Sequence, residues 1–276
     1  MTKNRVLLLG GISEALELAA GLSEKGFEVL VSRATRIVQI EPVLSGVSYR
    51  HGRLDKDGLV QLAGKENIVA MIDCTHPYAS EISWNGFRAA QDLGLPFFVY
   101  DRPGLDPAYP GILRARDHFH AADLAFNGKG VVFLSIGSKN IQIYSKRAGQ
   151  RISSLAARVL PGQEILHGCL DAGLCFSMII QARGSFSVEE NLTHLKMVKA
   201  ECLVTKDSGF AGGVPAKFEA ASQLGIRVIV VERPSRPGRL RFKSIDKLLA
   251  CLSSTFFKDL AGFADPPESC PGHGCV

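Results

Sequence analysis

The chain is predicted to be an α/β protein of two Rossmann-like domains with parallel sheets. Three observations predict this. Strand-sized apolar runs alternate with amphipathic helical segments, the pattern of a doubly wound parallel sheet. A Gly10-Gly11 turn joins the first strand to the first helix. A strand-loop-helix-strand unit also occurs twice: residues 87–103 (Phe-Arg-Ala-Ala-Gln-Asp-Leu-Gly-Leu-Pro-Phe-Phe-Val-Tyr-Asp-Arg-Pro) align without a gap on 218–234 (Phe-Glu-Ala-Ala-Ser-Gln-Leu-Gly-Ile-Arg-Val-Ile-Val-Val-Glu-Arg-Pro), and eight of the seventeen positions are identical. In the same frame, the loop from Asp73 to Tyr78 falls opposite Val204 to Gly209. Polar loops at the carboxyl ends of parallel strands are where open α/β sheets bind ligands. Two similar halves, with a site between them, are therefore expected.

In chain order, 5–9 reads as the first strand. Residues 13–25 follow as a helix, with Ser13 as N-cap, an apolar stripe of Ala15, Leu16, Leu18, Ala19 and Leu22, and Gly26 at its end. Strands are expected at 28–32, 47–51, 68–73 and 96–100, with helices over 57–65 and 79–93. Thr75 suits a cap and Pro77 a helix start. The Pro/Gly-rich stretch 102–111 is the linker candidate. Beyond it, 131–136, 177–182, 202–205 and 227–231 read as strands, and 163–171, 188–199, 216–224 and 244–260 as helices. The expected domains are 1–102 for the dinucleotide and 103–262 for the substrate. The stretch 263–276 has too little apolar content to pack and is expected to be a disordered tail.

Composition narrows the function classes. A chain of 276 residues, 46% hydrophobic and 21% charged, is long enough for two buried cores. Its longest apolar runs are strand-sized, which argues against a bilayer span. The charged start leads directly into Val6 and the glycine turn, so no signal peptide is expected and the cytoplasm is the expected location. The seven cysteines are mostly scattered among apolar segments, which suits reduced core thiols better than a disulfide framework. A net charge of +5 with dispersed basic residues lacks the stripe typical of nucleic-acid binding, so neither nucleic acid nor membrane is an expected partner. A small polyanion fits this charge as well as a plain solvated surface does. The residues leave the oligomeric state open.

The glycine turn would let a backbone approach a pyrophosphate at a helix N-terminus, although it is not a full G-x-G-x-x-G and Glu14 adds negative charge there. At the end of the second strand, an NAD site would carry an acid for the ribose 2′-hydroxyl. Here the strand runs into Ser32, Arg33, Thr35 and Arg36, which favours NADPH while leaving NADH open. Thr75, His76, Pro77 and Tyr78 form the loop after the fourth strand. In the second half, Lys206, Ser208, Gly209 and Lys217 would suit carboxylates or phosphates, as would the strand ends at Ser135 and at Arg183-Gly184. Walker spacing, a Ser-His-Asp arrangement and a zinc-ligand cluster are absent from the body of the sequence. No metal is expected, and Cys270, His273 and Cys275 of the tail are read as a terminal tract rather than as ligands.

Together these motifs resemble the precorrin-6A reductase family of cobalamin biosynthesis, including its cobalt-precorrin-6A branch. The resemblance runs from Leu7 to about Pro234. It is carried by the Leu-Leu-Gly10-Gly11-Ile-Ser-Glu14 turn, the Asp73 to Ala79 loop, Arg102-Pro103, Ala182 to Phe186, Thr205-Lys206-Asp-Ser208-Gly209 and Arg233-Pro234. The sequence departs from the family pattern at Gly10-Gly11, where Thr-Gly is usual, and at Ser135-Ile136, where threonines are usual. The resemblance implies an active site in the inter-domain cleft. It also implies NAD(P)H-dependent reduction of one carbon–carbon double bond in a macrocycle bearing many carboxylates.

On this reading Gly10, Gly11, Ser13, Arg33, Thr35 and Arg36 hold the dinucleotide, and Thr75, His76 and Pro77 border the nicotinamide. Tyr78, Ser135, Arg183, Gly184, Lys206, Ser208, Gly209 and Lys217 face the substrate. Tyr78, His76, Lys206 or water would deliver the proton, and whether the substrate carries cobalt stays open. Two competing readings are a two-domain sugar-nucleotide transferase and a non-enzymatic NADPH-sensing regulator.

Overall fold

The computed structural model describes residues 4–35, 42–105 and 111–253. The chain divides into two compact units, one formed by 1–102 with 235–276 and the other by 103–234.

The first unit opens β1 (Arg5–Gly10), α1 (Glu14–Glu24), β2 (Glu28–Arg33), β3 (Val47–His51), α2 (Lys56–Lys65), β4 (Ile68–Cys74), α3 (Ser80–Asp92) and β5 (Phe97–Tyr100). The second unit follows as β6 (Ile112–Ala115), α4 (His118–Phe126), β7 (Val131–Ser135), α5 (Ile141–Ala148), β8 (Leu155–Val159), α6 (Gln163–Asp171), β9 (Ile179–Gln181), α7 (Val188–Met197), β10 (Ala200–Lys206), α8 (Val214–Gln223) and β11 (Arg227–Val231). The chain then returns to the first unit with β12 (Leu240–Phe242) and α9 (Ile245–Ser253).

Each unit holds a six-stranded sheet, ordered β12-β5-β4-β1-β2-β3 and β6-β11-β10-β7-β8-β9, with all neighbours parallel. Both orders follow the doubly wound scheme, in which ligands bind beyond the strand ends where the winding reverses. That reversal lies between β1 and β4 in one sheet and between β7 and β10 in the other.

Burial on both faces explains the continuous apolar strands. In the first sheet, Val6, Leu8, Ala70 and Ile72 pack with α1 and α9, while Leu7, Leu9 and Met71 pack with α2 and α3. In the second, Phe133, Ala156, Leu203, Val228 and Val230 pack under Leu195 of α7 and Val214, Phe218 and Ala221 of α8. Local chemistry sets the helix starts. Asp55 caps α2 by accepting from the Gly58 amide (2.8 Å), Asp117 caps α4 through His120 (2.7 Å), and Ser187 with Glu190 forms a reciprocal capping box on α7.

The structure changes several expectations. The sequence pattern assigns the segment from Pro234 to residue 262 to the second domain. Instead β12 hydrogen-bonds along β5 and α9 packs on the first sheet, so the second domain does not run to 262. β6, α4, α5, β8 and β12 are additional elements. Ser13 already has helical angles, and its hydroxyl donates to Glu14 (2.8 Å), so it does not cap α1. Thr75 does not cap α3, which starts at Ser80, and Pro77 lies before that helix. Cys175 is exposed rather than a core thiol.

The repeat also slips by one residue upstream of its helices. Asp73 lies beside Val99 and Thr205 beside Val230, and these two valines match in the repeat. The counterpart of Asp73 is therefore Thr205 and not Val204. The expected helix over 244–260 is described as far as Ser253. Arg36 and the tail with Cys270, His273 and Cys275 lie outside the described residues.

Candidate functional site

In the first unit, the ends of β1, β2 and β4 bring the cofactor candidates together. Gly10 closes β1, and a Cβ on it would sit 3.2 Å from Val31 and 3.6 Å from the Arg33 side chain. A Cβ on Gly11 would come within 3.3 Å of the Thr75 and His76 backbone. Glycine is thus what lets the first turn lie against the loop after β4. Ser13 and Thr35 are exposed, while Arg33 is buried with its guanidinium over the Tyr49 ring at 5.5 Å. Beside it, Arg50 donates to the Ser32 hydroxyl (2.8 Å) and to the Gly52 carbonyl (2.9 Å).

Two ion pairs shape this region, and sequence reasoning missed both. The negative charge of Glu14, which would oppose a phosphate, is paired with the buried Arg102. Burial alone would raise the Glu14 pKa, but hydrogen bonds from Ser13 and the backbone, with Arg102, hold it below the usual value. Asp73 is fully buried and bonds to Arg236 at 2.6 Å. It also accepts from the Thr75 amide (3.0 Å), the Thr75 hydroxyl (2.6 Å) and Ser83. Arg236 reaches the Tyr100 carbonyl (3.3 Å) and the Thr75 hydroxyl (3.3 Å) as well. Thr75 therefore organises the loop from within. His76 accepts from the Tyr78 amide through Nδ1 (3.3 Å), with the two rings 5.7 Å apart, and Pro77 is buried.

In the second unit, Lys206 ends β10 half-buried. Burial, then the nearby Lys139, brings its pKa down to about 8. His118 is held neutral, at about 4, by burial and then by Lys206, and its Nδ1 lies 2.9 Å from the Tyr144 hydroxyl. Asp207 accepts from the amides of Leu105 (3.1 Å) and Gly209 (3.2 Å), while Arg233 donates to its carbonyl (2.9 Å). Ser208 turns its hydroxyl to the Gly212 carbonyl (3.2 Å), so it is engaged inside the loop that also carries the buried Gly209. Arg183 and Gly184 are exposed after β9.

Ser135 accepts from Arg158 (3.1 Å), a buried residue that the sequence reading passed over. The available signal was an arginine within the apolar run Leu-Ala-Ala-Arg-Val. Lys217 lies on α8, and burial followed by Arg158 lowers its pKa to about 8. Among the described residues no metal-binding group of His, Cys, Asp or Glu occurs, and no helix is long and apolar enough to cross a membrane.

Two doubly wound units, one with a glycine turn and a basic second-strand end and the other with cationic strand ends, define an α/β protein of the dinucleotide-binding architecture. Comparison with known proteins makes this specific. Residues 5–253 match the model of the family described as Precorrin-6x reductase CbiJ/CobK, and the chain belongs to that family. It is 32% identical over 230 residues to the cobalt-precorrin-6A reductase of Priestia megaterium, covering 83% of this chain and 90% of that one. It is likewise 32% identical over 242 residues to the precorrin-6A reductase of Rhodococcus erythropolis, covering 84% and 90%. A solved structure of CobK precorrin-6A reductase superposes with a TM-score of 0.72 at 27% identity, over 91% of this chain and 96% of that one.

Proposed function

We propose that the chain transfers hydride from NADPH to one carbon–carbon double bond of precorrin-6A or its cobalt form, with the first unit holding the cofactor and the second the macrocycle's carboxylates. As a member of its family the chain is an oxidoreductase of cobalamin biosynthesis acting on precorrin-6A, which favours this reading over a sugar-nucleotide transferase or a sensor. The observation that carries the cofactor choice is the end of β2. It supplies Arg33, with Arg50 bonded to Ser32, where a site for the unphosphorylated ribose would need a carboxylate.

The residues fit the cofactor. The turn at Gly11 lies so close to the Thr75 and His76 backbone that a side chain would crowd it, which suits a phosphate held by backbone amides. When bound, the nicotinamide supplies the hydride. Gly10, Gly11 and Ser13 would hold the pyrophosphate, Arg33, Arg36 and Thr35 the 2′-phosphate, and Thr75, His76 and Pro77 the nicotinamide end. The Arg102 charge relieves the repulsion Glu14 would otherwise exert. Tyr78, Ser135, Arg183, Gly184, Lys206, Ser208, Gly209 and Lys217 would orient the substrate, with positioning carrying most of the rate. Lys206 is our choice of proton donor: near pH 7 it is mostly protonated, yet burial makes the proton easier to give up.

The test is anaerobic incubation with precorrin-6A or its cobalt form and NADPH, followed by absorbance. NADPH oxidation with one macrocycle is expected, and none with either would overturn the function. Arg33→Ala should raise KM for NADPH much more than for NADH; equal effects would remove Arg33 from the 2′-phosphate site.

A further inference from the structure

The two sheets can be compared position by position, because their strand orders and registers match. At the carboxyl edge of the first sheet, on the α2/α3 face, Leu9 of β1 stands between Ser32 and Asp73. A Cβ on Gly86 of α3 would lie 2.6 Å from Leu9. In the second sheet, Ser135 takes the place of Leu9 and Thr205 that of Asp73. Arg158, which follows the Ala157 paired with Leu134, takes the place of Ser32. Lys217, immediately before the repeated phenylalanine, takes the place of Gly86. The α8 position that faces the first-strand residue thus carries an ammonium. Where the first unit sets Leu9 and Gly86 beside the Ser32 hydroxyl and the Asp73 carboxylate, the second sets two cations and two hydroxyls, with no carboxylate among the four.

The charges there are not balanced from within. Arg158 is buried and donates to the Asn191 side-chain oxygen (3.0 Å), to His194 Nδ1 (3.0 Å) and to the Ser135 hydroxyl (3.1 Å). All three acceptors are neutral, since a histidine that accepts at Nδ1 is unprotonated. Its guanidinium lies over the Phe186 ring at 3.9 Å and near Phe133 at 5.8 Å. The carboxylate that acts on it is Glu190, which is exposed and accepts from the Ser187 amide (2.8 Å) in the capping box. Lys217 is in neither a hydrogen bond nor an ion pair among the described residues. The Thr205 hydroxyl is fully buried and lacks a partner there. Buried cations are ordinarily neutralised, and buried hydroxyls are ordinarily bonded. In the first unit the same sheet edge meets that rule through Asp73 and Arg236.

We propose that Arg158, Lys217, Ser135 and Thr205 form a carboxylate-binding site on the α7/α8 face of the second sheet, and that under the reductase reading it takes one peripheral carboxylate of the macrocycle. A carboxylate supplies the missing charge and accepts from the ammonium and the threonine hydroxyl. It forms only acceptor contacts, which is what a surrounding of donors requires. The proposal rests on the reductase reading only for the owner of the carboxylate.

The test has two arms, both on the full chain. In the first, tricarballylate is added to wild type, Lys217→Met and Lys217→Arg, with sodium chloride at matched ionic strength as control. The expected result is that tricarballylate raises the wild-type melting temperature beyond the salt control, that Lys217→Met loses this excess, and that Lys217→Arg keeps part of it. An equal excess in wild type and Lys217→Met, or none in wild type, overturns the site. In the second arm, Lys217→Met should raise KM for the macrocycle about 10- to 100-fold, the range for loss of one charged hydrogen bond, and more than it lowers kcat, with KM for NADPH unmoved. An unchanged macrocycle KM overturns the assignment to substrate. If wild type oxidises no NADPH with either macrocycle, the reductase reading falls, and the tricarballylate arm still decides the site.

Discussion

The Asp73–Arg236 pair gives a sharp energetic prediction, because it joins two segments far apart in sequence inside one unit. Asp73→Ala leaves Arg236 in the interior with only the Tyr100 carbonyl at 3.3 Å, the Thr75 hydroxyl at 3.3 Å and Asp101 at 3.9 Å. Breaking a buried pair from one side costs about 3–5 kcal/mol. Asp73 additionally loses its bonds from Thr75 and Ser83, worth about 1 kcal/mol each. Arg236→Met is milder, since Asp73 keeps those three neutral donors. We expect about 6–8 kcal/mol for Asp73→Ala and about 3 kcal/mol for Arg236→Met. The double variant should cost clearly less than their sum, with a coupling of about 2–3 kcal/mol. Urea unfolding of wild type, both single variants and the double variant closes the cycle. Additive losses would refute the pairing and, with it, the claim that Asp73 is held by the returning segment.

Three further outcomes can be checked. Lys217 has a folded pKa of about 8 against 10.5 for the free side chain, so below pH 8 both states are protonated and the folded state bears the desolvation cost. Lys217→Met should therefore raise stability near pH 7, and wild type should close the gap as pH climbs from about 8 to 10.5; a pH-independent difference contradicts this. Lys206 as proton donor predicts a fall in kcat above about pH 8 that Lys206→Met lacks, and persistence of that limb in the variant would remove Lys206 from the role. Ser187→Ala should cost about 1 kcal/mol through the lost cap of α7 and weaken macrocycle binding through Asn191 and His194, which hold Arg158; unchanged thermal stability would argue against the capping box.

Much of the first unit was legible because its strands are long apolar runs separated by polar turns, as at β1, β2 and β4. The second unit was harder to read. β8 carries Arg158 inside its apolar run, and a buried cation breaks the pattern by which a strand is recognised. β12 has three residues, too few for any periodicity, so its pairing with β5 leaves no local trace. Of the candidate site, the glycine turn and the basic β2 end stand in the sequence as motifs. Arg236 as the ion-pair partner of Asp73, and the partners of Arg158, do not, because they come from segments brought together only by the fold. A hydroxyl before a helix usually caps it, but a buried aspartate two residues earlier takes the Thr75 hydrogen bond instead.

The two crossings of the chain, at 102/103 and 234/235, also bear on biosynthesis. The second unit is contiguous, and its ends meet where Arg233 donates to the Pro103 carbonyl (3.4 Å). Its sixth strand, β6, leaves the ribosome before the other five, whereas β12, the sixth strand of the first sheet, leaves last. A nascent chain released of its first 234 residues can therefore complete the second sheet while the first still has an open edge along β5 and an unpaired Asp73. Until β12 arrives, that edge presents the unpaired backbone groups that invite pairing with another chain.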